Sequence, residues 1–261
     1  MKTFNYHSAK DVKEATKLAS AGSAYLAGGM TTIPSMKLGL ATYKDIIDIK
    51  KIKKISGIKV SKKSVLIGAT TKHCEVAGSK EVKKAIPSLV KLADGIGDPQ
   101  VRNRGTIGGS IANNDPAADY PSACIALNAT IHTNDRKIVA SKFFKGMFET
   151  ALKKGELIEF VEFEIPEKSS YQKFPNPASR YAIIGVYVAK NKKGVNVAVT
   201  GAKSCVYNDE NISKALSENF TSSSLDTVKI SASEMNSDIH ASADYRANMI
   251  KIFAKKAVDA C

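Results

Sequence analysis

The sequence predicts an α+β protein built from more than one unit, and three observations carry that prediction. Over roughly the first fifty residues, strand-like and helix-like patterns alternate. Beyond Gly57 the pattern turns to a hairpin, a helical stretch and longer strands. After a proline-rich segment at 166–177, two strand-like runs and an amphipathic helix complete the chain. Such changes of periodicity mark separately assembled layers rather than one continuous sheet. With 261 residues, 43% of them hydrophobic, the chain can bury a sizeable core in one to three domains.

Phe4-Asn5-Tyr6 reads as a strand, and Ser8-Ala9-Lys10-Asp11 as a capping box in its acidic variant. Val12, Ala15, Leu18 and Ala19 then recur at helical spacing, and Gly22 closes that helix. Ala24-Tyr25-Leu26 forms the next strand. Ile33, Met36 and Leu38 form a short helix ending at Gly39, and residues 45–49 a third strand. Ile58-Lys59-Val60 and the run 64–68 flank Ser61-Lys62-Lys63 as a hairpin. Val82, Ile86, Leu89, Val90 and Leu92 predict helix. The segment 94–119, rich in Gly, Asn, Asp and Pro, reads as a long irregular stretch of the kind that carries function inside compact domains. Residues 120–127 predict a short helix, and 129–133, 137–140 and the alternating run 157–165 predict strands. Residues 166–177, with three prolines, read as a linker. Beyond it, 181–189 and 195–207 are strand-like runs joined by the turn Asn191-Lys192-Lys193-Gly194. A final helix over 241–260 places Tyr245, Met249, Ile250 and Phe253 along one face.

Two glycine turns interrupt this pattern: Ala27-Gly28-Gly29-Met30-Thr31-Thr32, and Thr106-Ile107-Gly108-Gly109-Ser110. The first follows a short apolar run. Paired glycines let a backbone approach a ligand closely and turn N–H groups toward an anion. Two such turns with hydroxyl residues at their rims point to one ligand with an extended phosphate group, a nucleotide.

The remaining composition excludes several classes. Cys74, Cys124, Cys205 and Cys261 are widely spaced and the four histidines are scattered, which argues against a zinc site, an iron–sulfur cluster and a disulfide framework. Redox chemistry on this chain must then come from an organic cofactor. The net charge of +14 comes from lysines spread along the chain without interleaved aromatics, so it reads as solvated surface or attraction to acidic partner subunits, and not as a nucleic-acid site. No run approaches the roughly 18 apolar residues of a membrane span. The N-terminus lacks the apolar core of a signal peptide, so the cytoplasm is the expected compartment.

The string Ile96-Gly97-Asp98-Pro99-Gln100-Val101-Arg102-Asn103-Arg104-Gly105-Thr106-Ile107-Gly108-Gly109-Ser110, continuing to Asp115-Pro116-Ala117-Ala118-Asp119, goes beyond what a turn requires. With Ala27-Gly28-Gly29, Ile67-Gly68-Ala69, Pro177-Ala178-Ser179-Arg180-Tyr181-Ala182 and Ile239-His240-Ala241-Ser242-Ala243-Asp244-Tyr245-Arg246, it resembles the FAD-binding medium subunit of molybdenum hydroxylases. These are represented by aerobic carbon monoxide dehydrogenase and bacterial xanthine dehydrogenase, and the resemblance covers essentially the whole chain. It implies a bipartite FAD-binding domain of the p-cresol methylhydroxylase (PCMH) type, divided at 1–56 and 57–168. A smaller C-terminal α/β domain of the carbon monoxide dehydrogenase flavoprotein type would follow at 176–261.

The resemblance also implies roles. The backbone from Ala27 to Thr31 would wrap the FAD pyrophosphate, and Thr106 to Ser110 would form the second half of the cradle. The hydroxyls of Thr31, Thr106 and Ser110 would add hydrogen bonds. Asn113 would supply a further polar contact, Asp119 would accept from FAD hydroxyl groups, and Tyr181 would lie near the isoalloxazine ring. Met30 stands where the family has Thr or His, and Thr32 where it has an apolar residue, yet backbone cradling tolerates both. The candidate cofactor-binding set is thus Ala27, Gly28, Gly29, Met30, Thr31, Thr32, Thr106, Ile107, Gly108, Gly109, Ser110, Asn113, Asp119 and Tyr181. No catalytic acid–base residue and no metal ligand is identifiable. His73 reads either as a covalent flavin attachment point or as local packing, and Arg102 and Arg104 as phosphate ligands, as loop pins or as contacts to a partner subunit.

The function implied is that of an FAD-carrying electron-transfer oxidoreductase subunit. Its partners would be a large molybdenum–pterin subunit and a small [2Fe–2S] subunit in a dimer of heterotrimers. Two other readings fit the same residues: a stand-alone flavin-dependent oxidoreductase of the same fold, and a basic binding protein whose glycine turns are only structural.

Overall fold

The computed structural model describes residues 1–261. Its first layer comprises β1 (Asn5–Ser8), α1 (Val12–Leu18), β2 (Ser23–Leu26), α2 (Thr32–Lys37) and β3 (Asp45–Asp48), with parallel strands in the order β1-β3-β2. Parallel strands need cover on both faces, and β3 shows it in consecutive residues. Ile47 packs with Ala15, Ile52 and Ile55 on one side, and Ile46 with Leu26 and Met36 on the other. The capping box lies three residues later than the sequence reading placed it. Ser8 is still in strand register with Asp48, so Asp11 caps α1 by accepting from the Glu14 N–H at 2.8 Å. The Glu14 carboxylate in turn accepts from the Lys10 N–H at 2.8 Å.

The second layer begins with β4 (Ile58–Val60), β5 (Ser64–Gly68), α3 (His73–Gly78), α4 (Lys80–Ala85) and α5 (Pro87–Asp94). It continues through α6 (Pro99–Arg102), α7 (Ile107–Asn113), α8 (Tyr120–Ala126), β6 (Thr130–Thr133), β7 (Lys137–Val139), β8 (Phe144–Gly146), β9 (Glu149–Thr150) and β10 (Ile158–Glu164). An antiparallel sheet of order β4-β5-β10-β6-β7 buries Val65, Ile67, Val161 and Phe163 against Leu89, Leu92, Ile107 and Tyr120 of the helices. The segment 94–119, read as irregular, contains the two short helices α6 and α7. Side-chain caps and Pro99 start them: Asp98 accepts from the Val101 N–H at 2.8 Å and Thr106 from the Gly109 N–H at 3.2 Å. At four and seven residues, neither is long enough to show a helical period.

The third layer contains β11 (Lys168–Pro175), β12 (Ala182–Asn191), β13 (Gly194–Thr200), β14 (Tyr207–Asn208), α9 (Glu210–Glu218) and α10 (Ala243–Asp259). Here the linker expected at 166–177 is corrected. Most of it is β11, paired in register with β12 from Lys168 to Pro175. The three prolines sit at or beyond the ends of that strand, and β11 is an edge strand, where a missing N–H is tolerated. The run 195–207 is likewise two strands, broken at Gly201 with φ of +85°. β12 is buried on both faces. Ile184, Val186 and Val188 meet α9 and α10, whereas Tyr187 and Ala189 join the core of the second layer. This alternation accounts for a continuous apolar run in an antiparallel strand. On α10 the buried stripe is Ala247, Ile250, Phe253, Ala254 and Ala257, while Tyr245 remains partly exposed.

Candidate functional site

A cleft of about 480 Å³ lies where the β2–α2 turn, the segment 96–119, residues 152–158 and the loop before β12 converge. Ala27, Gly28, Gly29, Met30, Thr31, Thr32, Thr106, Gly108, Gly109, Ser110, Asn113, Asp119 and Tyr181 all line it. Ile107 does not. As the first residue of α7 its side chain turns into the second core, fully buried, and its N–H donates to the Thr71 carbonyl at 3.1 Å.

The two glycine turns are pressed together. A Cβ on Gly28 would stand 2.1 Å from the Arg104 carbonyl oxygen. One on Gly109 would meet Thr106 Oγ1 at 3.0 Å and the Ala27 Cβ at 3.9 Å. Glycine at position 28 is thus what lets the two backbones touch.

Their donors differ. The backbone N–H groups from Ala27 to Thr32 have no acceptor within the chain. In the second turn, Ile107 donates to Thr71, Gly108 to the Ala69 carbonyl at 2.9 Å, Gly109 to Thr106 Oγ1 and Ser110 to the Thr106 carbonyl at 3.0 Å. The two halves of the expected cradle therefore differ in what they offer. The first turn presents main-chain donors, while the second presents the Thr106 N–H and the hydroxyls of Thr106 and Ser110. α7 has consumed its other N–H groups, as a capped helix start does.

Asp119 is 4% exposed and already engaged: Tyr171 donates to its carboxylate at 2.5 Å and the Lys173 ammonium lies 3.0 Å away. Burial raises its pKa, against the opposing pull of Lys173 and Tyr171. Tyr181 is 45% exposed, and burial beside Asp115 and Asp119 raises its phenol pKa. Arg102 pins the loop, donating to the Ile96 and Gly97 carbonyls at 3.2 and 3.1 Å. Arg104 contributes its carbonyl to the contact with Gly28.

The sequence reading missed the wall made by Tyr25, Ile49, Leu152, Glu156 and Leu157. Nothing local marks these residues, because they meet only when the first and second layers pack, with the Tyr25 hydroxyl donating to the Gly155 carbonyl at 2.8 Å. Burial would raise the Glu156 pKa. Hydrogen bonds from Arg136, the Lys153 N–H and Thr133 overcome that and hold it at about 2. His73, buried and packed on Tyr120, is pushed down to about 4 by desolvation and by Arg102. Both values lie below those of the unfolded chain, so both contributions are complete above the unfolded values and vanish as pH falls. For His73 the loss spans about 6.5 to 4, and for Glu156 about 4.5 to 2. Glu156→Gln is expected to cost about 1–3 kcal/mol at neutral pH. It should also flatten the lower part of the acid-unfolding profile. An unchanged slope between pH 4.5 and 2 in urea melts would refute this.

The cleft's chemistry suits an extended anionic cofactor. Its donors are free backbone N–H groups, and Arg180 is the one cationic side chain among its lining residues. Two of its carboxylates, Asp119 and Glu156, are neutralised by their own basic partners. The His73 Nδ1 is buried at the wall without a partner. Apolar residues supply most of the remaining surface, as ring systems require. The residues fit FAD.

Comparison with known proteins agrees. Residues 2–168 match the family described as FAD binding domain in molybdopterin dehydrogenase. The chain is 34% identical to the glyceraldehyde dehydrogenase medium chain of Sulfolobus acidocaldarius, covering 97% of this chain and 96% of that one. It is 33% identical to the carbon monoxide dehydrogenase medium chain of Hydrogenophaga pseudoflava, covering 98% and 96%. The solved carbon monoxide dehydrogenase from Hydrogenophaga pseudoflava superposes with a TM-score of 0.90 at 31% identity, over 99% of this chain and 97% of that chain. With this fold, this cleft and these relatives, the chain belongs to the family of FAD-binding medium subunits of molybdenum hydroxylases, oxidoreductase components represented by carbon monoxide dehydrogenase and xanthine dehydrogenase.

Proposed function

We propose that this chain is the FAD-carrying electron-transfer subunit of a molybdenum hydroxylase of the carbon monoxide dehydrogenase type. A large molybdopterin subunit oxidises the substrate, and electrons arrive from [2Fe–2S] clusters of a small subunit and leave to an external acceptor. The assembly is a dimer of heterotrimers in the cytoplasm. FAD, when bound, supplies the capacity to take up and release electrons singly or in pairs. The fold brings together no cluster of His, Cys, Asp and Glu able to hold a metal ion, and no helix is long and apolar enough to cross a membrane.

The observation that carries this reading is the run of unpartnered N–H groups from Ala27 to Thr32, held against the second glycine turn. Backbone donors bind a pyrophosphate without ordering a flexible cation. Thr31, Thr32, Thr106 and Ser110 add hydroxyls, Asn113 adds an amide, and Tyr181 shields the ring system from water. The units 1–56, 57–168 and 176–261 serve as two halves of the cofactor domain and a covering domain, with β11 attached to the last.

The neutral His73 ring is wedged beneath Gly105, where a Cβ would lie 2.5 Å from Nε2, and packs on Tyr120, which favours local packing over covalent attachment of FAD. Acid precipitation should therefore release all the flavin into the supernatant; colour retained in the pellet would refute that. The reading as a whole is tested by the absorbance of the purified or FAD-reconstituted chain. A flavin band approaching one FAD per chain is expected, and a folded, colourless protein that takes up no FAD excludes it.

A further inference from the structure

We infer that Lys173 is a positioning residue, latching the loop 176–181, and with it Tyr181, over the cleft. The inference rests on the FAD reading above. The Lys173 side chain is 10% exposed, and its ammonium reaches three separate segments. These are the Asp119 carboxylate at 3.0 Å, the Gly95 carbonyl at 2.7 Å and the Arg180 carbonyl at 3.0 Å. An ammonium has three donors, and here each has an acceptor. Asp119 is held in turn by the Tyr171 hydroxyl, which has room because residue 185 on β12 is glycine. A Cβ there would lie 2.4 Å from the Tyr171 oxygen.

What Lys173 holds is strained. Arg180 has φ of +61°, a left-handed conformation that a non-glycine residue keeps only when its surroundings over-determine it. Within the loop, the Arg180 N–H donates to the Asn176 carbonyl at 2.9 Å, and the Asn176 N–H to the Tyr181 carbonyl at 2.8 Å. From outside, Lys173 holds the Arg180 carbonyl, and the Arg180 guanidinium donates to the Gly97 carbonyl at 3.0 Å. The loop is thereby fastened to both ends of the 95–97 turn at the rim of the cleft, and Tyr181 is its next residue. Asp119 lines the cleft, and its carboxylate holds Tyr171 and Lys173. Its role here is to hold the latch.

The test uses the full chain reconstituted with FAD, following flavin release by fluorescence after dilution and the visible circular dichroism of the bound flavin. Lys173→Met is expected to speed release about tenfold, the effect of losing about 1.4 kcal/mol, and to alter the dichroism band, with Lys173→Arg restoring both. Arg180→Gln loosens the same loop from its exposed side and leaves no buried charge unpaired, so it carries the test if Lys173→Met does not fold. Its expected effect is about threefold. In a Tyr181→Ala background, the Lys173 substitution should add nothing further, which is the coupling a latch requires. Wild-type release rates in Lys173→Met or in Arg180→Gln, or an undiminished Lys173 effect without Tyr181, would overturn the inference while leaving the FAD reading intact. Failure of the wild type to take up FAD would overturn both.

Discussion

Gly109→Asp is expected to leave the chain folded and the cleft empty of flavin. Residue 109 is the third residue of α7, whose cap is Thr106, a position where a carboxylate favours the helix dipole and can complete a capping box. The added Cβ would meet the Ala27 Cβ at 3.9 Å, an ordinary contact, and Thr106 Oγ1 at 3.0 Å, which a small rotation relieves. The melting temperature of the apo-protein should thus stay within a few degrees of wild type. Its new carboxylate, however, faces the turn at which a diphosphate would rest. At about 4–5 Å and an effective dielectric constant near 20, one such charge pair costs about 3–4 kcal/mol, on the order of several hundredfold in affinity. FAD titration followed by absorbance measures this directly, with Gly109→Ala as the uncharged control. Wild-type affinity in a folded Gly109→Asp protein would show that the pyrophosphate lies elsewhere.

Gly28→Ala should act in the opposite order, through the fold first and the cofactor second. The 2.1 Å approach of its added Cβ is to a backbone carbonyl oxygen, which cannot rotate away as a side chain can. The two turns must separate, at an expected cost of about 3 kcal/mol and a drop in melting temperature of about 6–12 °C. FAD binding should fall with it, because the free donors from Ala27 to Thr32 would no longer face the second turn. By contrast, a Cβ on Gly39 meets nothing within 4 Å, so Gly39→Ala carries only the strain of its φ of +75°. That cost is about 1 kcal/mol, without effect on flavin content. Equal melting temperatures for the two alanine variants would refute the packed-turn arrangement.

Much of the fold was legible because its signals are local. The alternation of β10, the hairpin at 58–68, the turn at 191–194 and the terminal helix depend on periods and turn residues within a few positions. The elements misread lack such signals or carry misleading ones. α6 and α7 are too short to show a period, and β11 is bracketed by prolines that mimic a linker. β12 reads as fully apolar because two different cores claim its two faces.

At the candidate site, the order of residues alone places the glycines, hydroxyls and aromatic residue, and hence two turns able to approach one anionic ligand. Which N–H groups remain free is set by long-range packing. That depends on whether an acceptor such as Thr71 or Ala69, more than thirty residues away, arrives beside them. The same holds for Asp119, whose carboxylate is claimed by Tyr171 and Lys173 from a strand more than fifty residues downstream. Residue types and spacings set what a group can bond. Long-range packing settles which partner reaches it first, and so which groups are left for a ligand.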